Sequence, residues 1–233
     1  MNHYSYELHL HTSEVSLCAS SSAAEMVRHF KRLGFAGICV TDHYNGNIAD
    51  SEGLTRAERI ARFCRGYDRA FEEGRRVGLS VFLGWEYSYH GTDFLIHGLD
   101  REWLLRNEAA DRMALPDYLA FVRSEGGIVC HAHPFREAGY IDMIRLLPHS
   151  IDAVETLNAN RPDTENRRAL DYARDFGLPE TNGSDIHTTH QIRIAAHRFD
   201  RPYHSSGELL RAILAGEGER FDTGLQRSPH TGS

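Results

Sequence analysis

Short apolar runs rich in β-branched and aromatic residues recur along this chain, and stretches of helical periodicity separate most of them. That alternation restricts the fold more than any other feature. Runs at Tyr4 to His11, Phe35 to Thr41, Leu79 to Glu86, Asp93 to Leu99, Gly127 to His133, Asp152 to Leu157 and Pro179 to Asp185 read as strands. Ala23 to Leu33, Leu54 to Val77, Pro116 to Ser124, Ile141 to Leu147, Thr164 to Phe176 and Gly207 to Leu214 read as helices. Strands alternating with helices imply βαβ units and a parallel sheet. About seven repeats either close into a barrel or stay open as a doubly wound sheet. Ser20 to Ser22 offer N-cap hydroxyls ahead of Ala23, and Gly34 suits the left-handed position that ends the same helix. Gly66 and Gly74 interrupt the second long helix, which is therefore one helix or two.

A chain of 233 residues suits one such domain, expected over residues 1–220 with a polar tail at 221–233. The formal charge of −7 argues against a partner nucleic acid held by counterion release, although a nucleotide substrate remains compatible with it. No apolar run approaches the roughly 20 residues of a membrane span, and the N-terminus lacks the build of a signal peptide. A cytoplasmic location is expected. Cys18, Cys39, Cys64 and Cys130 have neither CxxC spacing nor disulfide-scaffold density, so free thiols are expected.

The fifteen histidines are the compositional oddity, and their positions carry the chemistry. His9 and His11, Asp42 and His43, Glu86, His131 and His133, then Asp185 and His187 fall at the C-terminal ends of expected strands. An α/β barrel places its active site on that rim. Residues i and i+2 of a strand share a face, so His9 and His11 present two imidazoles to one point; His131 with His133 and Asp185 with His187 read likewise. Imidazoles and carboxylates together suit divalent zinc, manganese or iron, and several carboxylates let adjacent ions share an oxygen ligand. One H-x-H is weak evidence, whereas five clusters at successive strand ends are not. His3, His29, His149, His204 and His230 read as ordinary surface or core histidines.

The ordered segments ELHLHTSEVSLC, GICVTDHYN, GWEYSYHGTDFLIHGL, GGIVCHAHPFR and TNGSDIH, spread over residues 7–187, resemble the polymerase-and-histidinol-phosphatase (PHP) superfamily. The resemblance implies a single-domain distorted (β/α)7 TIM-like barrel holding two or three divalent metal ions. It makes His9, His11 and Asp185 ligands of a first metal, with Glu86 bridging to a second that His133 also binds. His43 and His187 resemble ligands of a third. Members of the family often place a His or Asp shortly after the first motif; here Glu14 is the ionisable side chain in Ser13 to Leu17, so either it substitutes or the site holds two ions. Asp93 and His97 compete for another place on the second metal. His131 looks like a neighbour of the ligands that contacts substrate.

Clustered divalent ions polarise a phosphoryl oxygen and activate water, which suits phosphate ester hydrolysis by attack of metal-bound hydroxide; the resemblance implies a small phosphomonoester, such as a nucleotide or a histidinol-phosphate-like ester, as substrate. His187 or His131, if not ligated, or an acidic water is the candidate acid for the leaving oxygen. Arg136, and less directly Arg193, could hold a phosphate oxygen, while Asn158 and Asn160 either contact ligand or shape a turn. Tyr4, Tyr44, Tyr87, Tyr89 and Tyr140 could line a stacking pocket or simply pack. Amide hydrolysis is the alternative chemistry, weakened because the sole lysine, Lys31, lies on an expected helix. A metal-binding regulatory module without turnover is the alternative outside enzymology. The sequence leaves the oligomeric state open.

Overall fold

Residues 3–44 and 53–224 are described by the computed structural model of this chain. Most of the expected tail, with His230, and Asn45 of the second motif lie outside the described residues. In chain order the strands are β1 (Tyr4–Leu10), β2 (Gly37–Val40), β3 (His43–Tyr44), β4 (Ser80–Leu83), β5 (Trp85–Tyr89), β6 (Thr92–His97), β7 (Ile128–Ala132), β8 (Ala153–Asn158), β9 (Glu180–Gly183), β10 (Ala195–Phe199) and β11 (Glu219–Asp222). The helices are α1 (Ala23–Arg32), α2 (Arg56–Phe63), α3 (Arg65–Val77), α4 (Arg101–Arg106), α5 (Leu115–Ser124), α6 (Asp163–Asp175) and α7 (Ser206–Leu214). Alternation of strand and helix is thus the organising pattern, as the sequence implies.

The strands form two sheets, one in the order β11-β10-β1-β2-β4 and the other β3-β5-β6-β7-β8-β9. Two seams join them. At the first, the parallel pairing of Val40 with Leu83 continues in unchanged register as His43 with Glu86, so the neighbouring strands pass together from one sheet into the next. At the second, a single parallel bridge links Leu10 to Ile186, with His11 N–H donating to the Ile186 carbonyl at 3.0 Å. The result is a mixed α/β fold; a single closed ladder of parallel strands is absent among the described residues.

The all-parallel expectation fails at β6, which runs antiparallel to both β5 and β7. The turn at His90 and Gly91 explains why: both have positive φ, 48° and 78°, and the chain reverses there within two residues instead of crossing over through a helix. Strands β10 and β11 are additional, and β11 takes Phe221 and Asp222 out of the expected tail. The expected helix at Ile141 to Leu147 is irregular: Leu147 packs against the core and Ile141 against Gly91, while Met143, Ile144 and Leu146 are exposed. The long second helix is two helices that meet at Cys64 rather than at a glycine. Gly66 lies in a tight contact instead: a Cβ there would collide with Thr12 Oγ1 and Asp42 Oδ2, so the missing side chain lets α3 press against the loop that follows β1.

Local chemistry sets the helix ends as the sequence suggests. Ser22 caps α1 in a reciprocal box with Glu25, and Gly34 follows the helix at φ 79°. Buried aromatics pack the helices onto the second sheet, where Trp85 donates from Nε1 to the Tyr118 hydroxyl at 2.9 Å. All four cysteines are free thiols. Among the described residues no helix is long and apolar enough to cross a membrane.

Candidate metal centre

Five imidazoles and three carboxylates converge at the seams between the sheets: His9, His11, His43, His133, His187, Glu86, Asp93 and Asp185. His9 and the adjoining His11 come from the end of β1, His43 from β3, Glu86 from β5 and Asp93 from the start of β6. His133 follows β7, and Asp185 and His187 follow β9. Glu86 is central. Its Oε1 lies 3.1 Å from His133 Nε2 and 3.3 Å from His9 Nε2, while its Oε2 lies 2.7 Å from His43 Nδ1 and 3.5 Å from His11 Nε2. Asp185 Oδ1 closes the group at 3.3 Å from His11 Nε2 and 3.5 Å from His9 Nε2. His133 and Asp185 both have positive φ, 26° and 48°, a costly backbone for residues with a Cβ and one that clusters at functional sites.

A second layer of polar groups fixes which ring nitrogens face inward. His9 Nδ1 bonds Glu155 Oε1 at 2.8 Å, His11 Nδ1 bonds Ser16 Oγ at 3.2 Å, and His187 Nδ1 bonds the Asp185 carbonyl at 2.8 Å. With each Nδ1–H donated outward, each Nε2 keeps its lone pair for the centre, the tautomer that metal-ligating histidines adopt. Ser16 in turn donates to Asp42, which also accepts from Thr12 N–H and Thr12 Oγ1, each at 2.7 Å. Glu7, fully buried, accepts from the Leu8, His9 and Ser184 amides and from the Ser184 hydroxyl, tying β1 to the segment that carries Asp185.

The residues fit divalent cations. His9 Nε2 and His11 Nε2 stand 3.2 Å apart, so two lone pairs face each other, and Glu86 Oε2 and His43 Nδ1, though 2.7 Å apart, are both buried and misaligned for a hydrogen bond. Such lone pairs are costly to bury together unless a positive charge sits among them.

Without a cation, protons must supply that charge. Burial alone would lower His9, yet Glu155, Asp185 and Glu86 raise it well above the usual histidine range. His43 is likewise opposed by burial and carried to about 11 by Glu86. Glu86 is raised by burial but pulled far below the carboxylate range by His43 and His9. His11, crowded and buried, falls to about 3. Because the ligating imidazole is the neutral form, cation binding at pH 7 must displace protons from His9 and His43. Loading chelator-stripped protein with zinc or manganese is expected to release about one or two protons per chain, read by calorimetry in buffers of different ionisation heat, and affinity should fall as pH falls.

Several sequence-assigned residues lie elsewhere. Glu14 accepts from the Ala23 amide at 2.9 Å and caps α1. His97 ends an antiparallel strand, about 13 Å along β6 from Asp93 at ordinary strand rise, so Asp93 reaches the cluster and His97 does not. His131 is buried between Phe94 and Tyr172, with ring centroids at 4.8 Å and 6.2 Å; the positive φ at His133 breaks the strand alternation that would have put both rings on one face. Arg136 stands 3.8 Å from Asp93 at the edge of the cluster. Arg193 is instead clamped between Asp222 and Asp163. Asn158 donates to Glu155 and Asn160 to the Asp185 carbonyl, so both support the site from behind. Lys31 donates to the Gly78 carbonyl, outside the cluster.

Glu155 is the important residue the sequence reading passes over. It is fully buried, accepts from His9 Nδ1, the His133 amide and Asn158, and owes its room to Gly183, where a Cβ would collide with its carboxylate. A lone acidic residue inside the apolar run Ala153 to Leu157 was the available signal.

The PHP domain model matches residues 7–175, and a PHP-associated model matches residues 163–217. The chain belongs to the PHP-domain family. No curated protein matches it. Solved structures share the fold of this PHP domain at low identity. A two-domain protein from Bacteroides vulgatus containing a predicted PHP-like metal-dependent phosphoesterase aligns at 15% identity and TM-score 0.69, over 94% of this chain; this chain spans 65% of that protein's length. A Bifidobacterium adolescentis protein, provisionally described as a metal-dependent phosphoesterase, aligns at 16% identity and TM-score 0.56, covering 92% and 96% of the two chains. An amidohydrolase from Chromobacterium violaceum with bound sulfate and no metal aligns at 14% identity and TM-score 0.57, covering 92% and 97%.

Proposed function

We propose that this PHP domain is a metal-dependent phosphoesterase that hydrolyses a small phosphomonoester, a nucleotide or an amino-alcohol phosphate. The observation that carries the reading is Glu86: one carboxylate oxygen faces His9 and His133, and the other faces His11 and His43, the arrangement of a carboxylate shared between neighbouring cations. We infer zinc, manganese or iron in two or three positions. His9, His11 and Asp185 would hold one ion, Asp93 and His133 a second, and His43 with His187 a third. The two seams between the sheets fit a distorted seven-stranded barrel, with the cluster on its rim.

Bound cations supply Lewis acidity toward a phosphoryl oxygen and lower the pKa of water. The chain's own residues do the rest. Arg136, its guanidinium beside Asp93, is placed to receive a phosphate oxygen that enters the cluster. With two ions bound and His187 unligated, this partly exposed imidazole can reach the leaving oxygen from the solvent side and hand it a proton; as a ligand of a third ion it leaves that proton to an acidic water. His131 has no such access.

Amide hydrolysis is the second reading, favoured by the shared fold of the Chromobacterium violaceum amidohydrolase. One experiment separates the two. Elemental analysis of protein purified without chelator is paired with turnover of phosphomonoesters, phosphodiesters and cyclic amides. Two or three ions per chain with phosphate release from monoesters supports the proposal. Amide turnover alone moves the assignment to the second reading, and absence of bound ion under every loading condition overturns both.

A further inference from the structure

The outer part of the cluster differs from the inner part in its donors. The outer position assigned above has His43 and His187 as its donors, and Glu14, the acidic side chain nearest in sequence, is committed to α1. Two neutral nitrogens leave a tetrahedral cation short of protein ligands.

Cys18 lies against this group. Its Sγ is 3.4 Å from His43 Nε2, the ring nitrogen opposite the one that faces Glu86. Two anchors hold the segment there. Ser16 Oγ accepts from the His43 amide at 3.2 Å, and the Ser20 amide donates to the His187 carbonyl at 2.9 Å. Cys18 therefore sits between one attachment to His43 and one to His187. It is also the exposed one of the four cysteines, while Cys39, Cys64 and Cys130 are buried.

We propose that Cys18 is a protein ligand of the outermost cation, joining His43 and His187 in a two-nitrogen, one-sulfur site. The inference rests on the metal-cluster reading and refines it. A coordinated thiol is deprotonated outright, so sulfur supplies the anionic charge that this group lacks, and a soft ligand biases the position toward zinc over manganese.

The test uses the full chain, stripped by chelator and loaded with cobalt(II). The expected spectrum contains a near-ultraviolet sulfur-to-cobalt charge-transfer band beside the visible ligand-field bands. Cys18→Ser should lose the charge-transfer band and about one cobalt per chain while keeping the ligand-field bands of the inner ions. Alkylation of Cys18 by iodoacetamide, mapped by mass spectrometry, should slow about tenfold or more on zinc loading. Ligand-field bands without a charge-transfer band, and an unchanged cobalt count in Cys18→Ser, would overturn the Cys18 assignment and leave the cluster standing. Failure to bind cobalt at all would overturn both.

Discussion

Glu86→Ala is expected to empty the cluster of at least one cation and to lower phosphate release by about 10³-fold or more. The side chain lies within 3.5 Å of four histidines and is 1% exposed, so no neighbour can take its place and water has little access to replace it. Its loss also leaves His9 and His43 without the negative charge that raises their pKa values, so the variant should bind fewer protons as well as fewer metals. Elemental analysis and phosphate release measured together read both effects, and a thermal melt of the stripped proteins checks that the fold persists. Glu86→Gln keeps the volume and one acceptor oxygen but cannot serve two cations, so it should resemble alanine in activity more than in stability. Wild-type metal content and turnover in either variant would mean that Glu86 does not join the ions.

The second large effect is expected one layer out. Glu155→Gln preserves shape but replaces one acceptor oxygen with an amide donor, in a place where His9 Nδ1, the His133 amide and Asn158 Nδ2 all donate. One of these donors must lose its partner, or His9 must change tautomer and turn a proton toward the cluster. Loss of such an orienting carboxylate weakens metal binding by about 10- to 100-fold, or roughly 1.4 to 2.7 kcal/mol. Competition with a chromophoric chelator measures the affinity. An affinity unchanged from wild type would show that Glu155 only fills space beneath the site.

The parts of the site that can be read from sequence are those where a strand keeps its regular alternation to the end. His9 and His11 follow that rule, and the order of strands along the chain locates Glu86 and Asp185 near the same rim. The parts that cannot be read depend on chain direction and on local backbone. Asp93 and His97 share a face of β6, and only the antiparallel direction of that strand decides which one arrives at the centre. His131 and His133 look like a second i, i+2 pair, but a positive φ at His133 ends the alternation between them. The approach of Cys18 to the cluster is not legible in sequence because His43, the ring it faces, is 25 residues away. The same limit applies to the fold. The apolar period at Ile141 to Leu147 is real, but a helix needs a surface to cover, and Leu147 is followed by Pro148. Strand β10 carries His197 and Arg198 in the middle of a short run, which hides it among polar segments.

The seam at Leu10 and Ile186 consists of one bridge, and the cluster's donors stand on both sides of it: His9 and His11 belong to the first sheet, and Asp185 and His187 to the chain leaving the second. A cation gripped by these residues is a cross-link between halves that backbone pairing joins only thinly at this edge. Its binding energy is then partly assembly energy for the whole domain. Scarcity of metal would act on this protein as a shortage of rivets acts on a riveted joint, reducing the population of intact molecules as well as the rate at which each one works.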